Sequence, residues 1–116
     1  MSFQKTKWMR KLARHSIPRV FGDGRAVVTT AGTRVQLPDQ ECTRVHITAE
    51  TDNTEVVVVG GSTVVASLST RRGTPLYATD DFTIYVANLN QIWIDSTVNG
   101  EGITYSYENA DDISES

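Results

Sequence analysis

The stretch Gln91-Ile92-Trp93-Ile94-Asp95-Ser96-Thr97-Val98-Asn99-Gly100-Glu101-Gly102-Ile103-Thr104-Tyr105-Ser106-Tyr107 decides the fold. Ile92 and Ile94 alternate with Gln91, Trp93 and Asp95, and Ile103, Tyr105 and Tyr107 alternate with Thr104 and Ser106. A period of two is what half-buried strands require. Asn99-Gly100 supplies the positive φ angles of a tight turn, so the segment predicts a hairpin joining a strand at 91–96 to one at 103–108.

The same alternation extends outward. It predicts further strands at 25–29, 33–37, 43–49, 55–60, 63–68 and 82–86, all rich in β-branched residues. Turn signals separate them: Ala31-Gly32, Pro38-Asp39, Asp52-Asn53, Gly60-Gly61, Arg72-Gly73-Thr74-Pro75 and residues 88–90. The expected fold class is all-β, a single antiparallel β-sandwich of jelly-roll or immunoglobulin type with about eight short strands, a barrel being the other closure.

Parity assigns the faces. Val35, Leu37, Val45, Ile47, Phe82, Ile84, Val86, Ile92, Ile94, Ile103, Tyr105 and Tyr107 should point inward. Arg34, Gln36, Arg44, His46, Thr83, Tyr85, Gln91, Trp93 and Asp95 should point outward. Residues 56–59 are apolar on both faces and need a second layer or another chain, since a bare edge of this kind aggregates. Val57 and Val59 are therefore candidate interface residues, together with Arg34, Arg44, His46, Tyr85 and Trp93. The two aromatics suit either a stacked glycan or a neighbouring subunit, and the subunit is favoured.

Charge divides the chain. Residues 1–25 hold seven Lys or Arg and one Asp, while residues 26–116 hold four and thirteen acidic groups, so the net charge of −3 is +6 followed by −9. Residues 1–24 read as a basic anchoring arm, 25–108 as the sandwich and 109–116 as an acidic tail. In the arm Trp8, Met9 and Leu12 fall at helical spacing, and Pro18 ends any helix. Three turns at most are marginal alone, so order is expected on docking. Phe3, Lys5, Lys7, Trp8, Arg10, Lys11, Leu12 and Arg14 are the candidate docking residues, with Gly22-Asp23-Gly24 as a flexible joint. A protein partner is favoured over nucleic acid or an anionic membrane.

Other chemistries find little footing. No run of about 18 apolar residues is present to span a membrane, and charged residues break any signal-peptide core, so the expectation is a soluble chain. Cys42 is the single cysteine. Cys42 and His46, four apart on a strand, would lie about 13 Å from each other and cannot act as a nucleophile and base. His15 and His46 are too few and too far apart for zinc, and Asp80, Asp81, Asp95 and Glu101 match no calcium loop. Gly60-Gly61-Ser62 reads as a turn or bulge, not a phosphate cradle. No metal or cofactor is expected, and no set of nucleophile, base and oxyanion donors assembles, so an enzyme is not expected.

The order of segments carries a resemblance. Val28-Thr29-Thr30-Ala31-Gly32-Thr33-Arg34-Val35-Gln36-Leu37, Cys42-Thr43-Arg44-Val45-His46-Ile47, Val57-Val58-Val59-Gly60-Gly61-Ser62-Thr63-Val64, Gly73-Thr74-Pro75-Leu76, Phe82-Thr83-Ile84-Tyr85-Val86 and the stretch from Ile92 to Tyr107 follow one another. This succession resembles a small β-sandwich module of tailed-bacteriophage virion structural proteins, of the capsid cement or decoration and head or tail fibre types. The resemblance covers residues 27–107 and leaves the arm outside. It implies a virion structural protein made in the host cytoplasm, without catalytic residues, that binds the major capsid protein or another virion protein and stabilises the head. It also implies a homo-oligomer, with a trimer suggested by cement proteins at three-fold positions. A head-fibre, neck or tail-associated adaptor is the alternative within the class, and a glycan-binding host-recognition module the alternative outside it.

Overall fold

β-Branched residues at every second position become strands when their buried sides share one layer. The computed structural model describes residues 18–110. Among them eight strands form: β1 (Pro18–Val28), β2 (Val35–Gln36), β3 (Arg44–Ala49), β4 (Val57–Gly60), β5 (Thr74–Leu76), β6 (Asp81–Ile84), β7 (Trp93–Ser96) and β8 (Glu101–Ala110). They build two antiparallel sheets, ordered β1-β8-β3-β6 and β2-β7-β4-β5. Every connection except β4 to β5 crosses between the sheets. That order is the eight-stranded jelly roll, two Greek keys closed into a sandwich, and it decides between the two expected architectures.

The core lies where parity puts it. Leu37, Val45, Ile47, Ile92, Ile94, Ile103 and Tyr105 are buried in one cluster, and Val35, Phe82, Ile84, Val86 and Tyr107 pack partly buried against it. Burial of each large aliphatic side chain contributes about 1.5–3 kcal/mol, so this shared layer dominates the fold.

Four local expectations are corrected. The turn at Asn99-Gly100 forms, with Gly100 at φ 86, but β7 and β8 belong to different sheets. The turn carries the chain across the sandwich: Gly100 N–H donates to Val28 O at 2.8 Å, and Ala31 N–H donates to Asn99 Oδ1 at 2.7 Å. β8 then finds its partner in β1, from Val28↔Glu101 to Pro18↔Ala110. Local turn chemistry says that the chain reverses, not which strand it meets.

Residues 63–68 are not a strand; only the bridge Val65↔Arg72 forms there, followed by a 3₁₀ turn at Leu68–Thr70. Thr74–Leu76, expected as part of a turn, is β5. It is an edge strand paired only to β4, where the missing N–H of Pro75 costs no ladder bond. Gly73 precedes it at φ 120, and a Cβ there would lie 2.7 Å from Val59 O. Both the backbone angle and the close approach require glycine.

The expected joint at Gly22-Asp23-Gly24 is the middle of β1. Gly22 and Gly24 pair with Tyr107 and Tyr105, whose rings lie over them, so that a Cβ at either glycine would come within 2.9 Å of the ring Cε1. These glycines make room for tyrosines. Of the arm, Phe3, Lys5, Lys7, Trp8, Arg10, Lys11, Leu12 and Arg14 lie outside the described residues, as do 111–116.

The interface expected at Val57 and Val59 is also corrected. Both point into the sandwich core, while Val56 and Val58 on the other face are covered by Val64 and Ala66, with Trp93 alongside. The second layer is the chain's own loop at 61–73, wrapped over the outside of its own sheet.

Candidate functional site

Among the described residues this arrangement leaves one broad sheet face uncovered, the outer face of β1-β8-β3-β6. Register aligns its side chains in rows across the sheet. The first row begins Phe21–Glu108–Arg44, and Tyr85, next in parity after Thr83 on the β6 side, meets Arg44 at its far end. The second is Asp23–Ser106–His46–Thr83, and the third is Arg25–Thr104–Thr48–Asp81. Small hydroxyl side chains floor the middle, and larger groups rise at the rim. Phe21, Arg44, His46, Thr83, Ser106 and Glu108 line a shallow depression of about 310 Å³ there.

The electrostatics of the face are mostly internal. Arg44 Nη2 donates to Glu108 Oε1 at 2.6 Å. Glu108 first, and then the Tyr85 oxygen, raise the Arg44 pKa above its ordinary value. Arg25 clasps Glu50 through Nε and Nη2, and that hydrogen bond raises its pKa likewise. His46 Nδ1 lies 2.8 Å from Thr83 Oγ1, and its Nε2 lies 3.3 Å from Asp81 Oδ2. The two arginines are thus each paired with a carboxylate, while Phe21 and Tyr85, 72% and 74% exposed, are not covered among the described residues. Two aromatics flanking an arginine ion pair suit recognition of a protein surface, where such residues act as anchors.

The sequence candidates divide accordingly. Arg44, His46 and Tyr85 come together on this face. Trp93 sits on the other sheet, half-buried against Val56, Val58, Val64 and Ala66, so it shares no platform with Tyr85. Arg34 is exposed before β2 and donates through Nη1 to Ser62 O. Phe21, Glu108, Ser106 and Thr104 were missed as site residues. Extending the alternation of β8 back onto a β1 that runs through its glycines would have found them.

Asp95 has outward parity, yet it is 3% exposed. It accepts hydrogen bonds from Gly32 N–H at 3.1 Å and Ala66 N–H at 2.9 Å, tying two loops onto β7. Glu101, also buried, accepts from Thr54 N–H at 3.0 Å and Glu55 N–H at 2.6 Å. Asp80 accepts from Tyr77 N–H at 2.9 Å. These carboxylates are loop fasteners, each serving its own backbone groups. Among the described residues no three His, Cys, Asp or Glu side chains are grouped as metal ligands. Cys42 is buried, its Sγ donates to Val86 O at 3.3 Å, and burial raises its thiol pKa.

No family model and no curated protein matches the chain. Among solved structures it is similar to a protein of Bacillus endospore appendages, described as a novel family of disulfide-linked pili. The identity is 12% and the TM-score 0.44, over 78% of this chain and 88% of that one.

Proposed function

We propose that this chain is a non-enzymatic structural protein of a bacteriophage virion, a capsid cement or decoration protein anchored by its basic N-terminal segment. The observation that carries the reading is the position of β1. It is an edge strand that continues directly from the basic segment at Pro18, and within its first residues it delivers Phe21 to the aromatic and charged row of the open face. The basic segment therefore leads, in sequence, straight into the strand that borders the docking face, which supports the two acting together on one capsid surface. Jelly rolls serve both as capsid and as lectin domains, so the fold admits either use, and the basic segment favours attachment.

The work of such a protein is mechanical. A joint that buries about 1,600 Å² of surface across neighbouring capsid subunits resists their separation. The major capsid protein is the proposed partner, and the virion the place of action.

Deletion of residues 2–17 tests this. The truncated chain should keep the melting temperature of the parent and disappear from purified particles, whereas the full chain should be present at a copy number close to that of the shell protein. Incorporation of the truncated chain at the parental level would refute the anchor. A copy number matching one vertex or the tail would make the chain an adaptor or fibre component instead.

A further inference from the structure

β1 is the outermost strand of its sheet, and over Pro18–Val28 only β8 pairs with it among the described residues. Hydrogen bonds identify which of its backbone groups β8 uses. Glu50 N–H donates to Gly102 O at 3.0 Å and Thr43 N–H to Glu108 O at 2.8 Å, so the even-numbered residues of β8 face β3. Its odd-numbered residues face β1, where Tyr107, Tyr105, Ile103 and Glu101 stand opposite Gly22, Gly24, Ala26 and Val28. The bond from Gly100 N–H to Val28 O agrees. Because the N–H and C=O of a residue point to one side of an antiparallel ladder and alternate along it, Phe21, Asp23, Arg25 and Val27 turn theirs to the free edge.

The same four residues place their side chains on the outer face, in the order aromatic, anion, cation, aliphatic. Arg25 spends Nε and one Nη2 hydrogen on Glu50, leaving its remaining N–H groups for another carboxylate. Natural sheets blunt such edges with lysine, proline or bulges. From Val20 to Val28 there is no lysine and no proline, and the only register shift lies before Val20.

We propose that β1 is an interface between two copies of this chain, paired antiparallel about a two-fold axis through Gly24. In that register Arg25 stands opposite Asp23 of the partner subunit, and Phe21 opposite Val27 of the partner subunit, each twice. All four edge-facing residues then meet edge-facing residues, and their N–H and C=O groups close one continuous ladder. A two-fold through Asp23 or through Arg25 would instead set like charges directly opposite, which destabilises a cross-strand pair. The strand is thus complementary to itself, which names a second copy as its occupant. The contact is isologous and closes a dimer, not the trimer that the cement analogy favours. It does not depend on what the basic segment binds.

Sedimentation equilibrium of the full chain tests the interface. The parent should be a dimer in the micromolar range. D23R and R25D each set like charges opposite twice and should weaken self-association by about tenfold or more. Mixed in equal amounts, the two variants present cations against anions, and dimer should return in the mixture alone. Phe21→Lys, at a side chain already exposed, should weaken the dimer while leaving the melting temperature of the monomer unchanged. A monomeric parent at high micromolar concentration overturns the proposal, as does undiminished association of the variants or a mixture that stays monomeric. A monomer whose amides at 21, 23, 25 and 27 resist hydrogen exchange also overturns it, in favour of the chain covering its own edge.

Discussion

Asp95→Ala tests whether residues 61–73 are held against the second sheet by one buried carboxylate. Asp95 accepts from Gly32 N–H and Ala66 N–H, at 3.1 and 2.9 Å. Alanine removes both acceptors, but the consequences differ. Gly32 N–H retains Ser96 O at 3.2 Å, so its loss is partial. Ala66 is wholly buried, and its N–H has no other acceptor among the described residues. One charge-assisted bond lost outright and a second weakened amount to about 2–4 kcal/mol. At about 4–8 °C per kcal/mol for a domain of this size, the melting temperature should fall by roughly 8–32 °C. Asp95→Asn keeps a single acceptor oxygen and should lose about half as much. A second signal separates release of the loop from general weakening. Val64 and Ala66 pack with Trp93, so in a Trp8→Phe background, where Trp93 is the remaining tryptophan, its emission should move to the red before global unfolding. An unshifted spectrum together with a melting temperature within about 2 °C of the parent would refute the argument that this carboxylate fastens the loop.

Two further outcomes follow from the same packing. Gly24→Ala drives a Cβ to 2.9 Å from Tyr105 Cε1 and should cost about 1–3 kcal/mol in urea unfolding, whereas Gly61→Ala, with no atom within 4 Å of the added carbon, should change stability by less than about 0.5 kcal/mol. Tyr105 has its pKa raised above 10.0, first by burial and then by Tyr107 and Asp23. The folded state therefore resists the phenolate, and the unfolded chain loses this proton first. The contribution is intact below the unfolded value and is lost as pH rises above it. Urea midpoints should fall between about pH 9 and about pH 11, and a Tyr105→Phe chain with the same slope would show that another group is responsible.

Much of the core was legible because strand side chains alternate strictly. Every residue from Val35 to Tyr107 that parity sent inward belongs to the central cluster or packs on it. The same rule correctly turned Asp95 and Trp93 away from that cluster but could not tell that loop 61–73 covers them there. Parity reports the side of a sheet, and a loop can bury either side. The reading of Gly22-Asp23-Gly24 as a joint failed because glycine in isolation signals flexibility, and only the opposing Tyr107 and Tyr105 give Gly22 and Gly24 a packing role.

The docking candidates divide along the same line. Arg44 and His46 share a face because they are in phase on one strand, β3, which the sequence alone determined, whereas Tyr85 joins them only because β6 pairs with β3. That Phe21 and Glu108 join them depends on β8 pairing with both β1 and β3. Turn chemistry at Asn99-Gly100 is local and specifies a reversal, whereas the partner of β8 is chosen by contacts across nearly the whole chain length. Strand existence, face and core composition were therefore written in the sequence at short range. Sheet membership, the jelly-roll order, the cover over Val56 and Val58 and the place of β1 at the end of its sheet were decided by tertiary structure, because each depends on which distant segment of the chain packs or pairs with another.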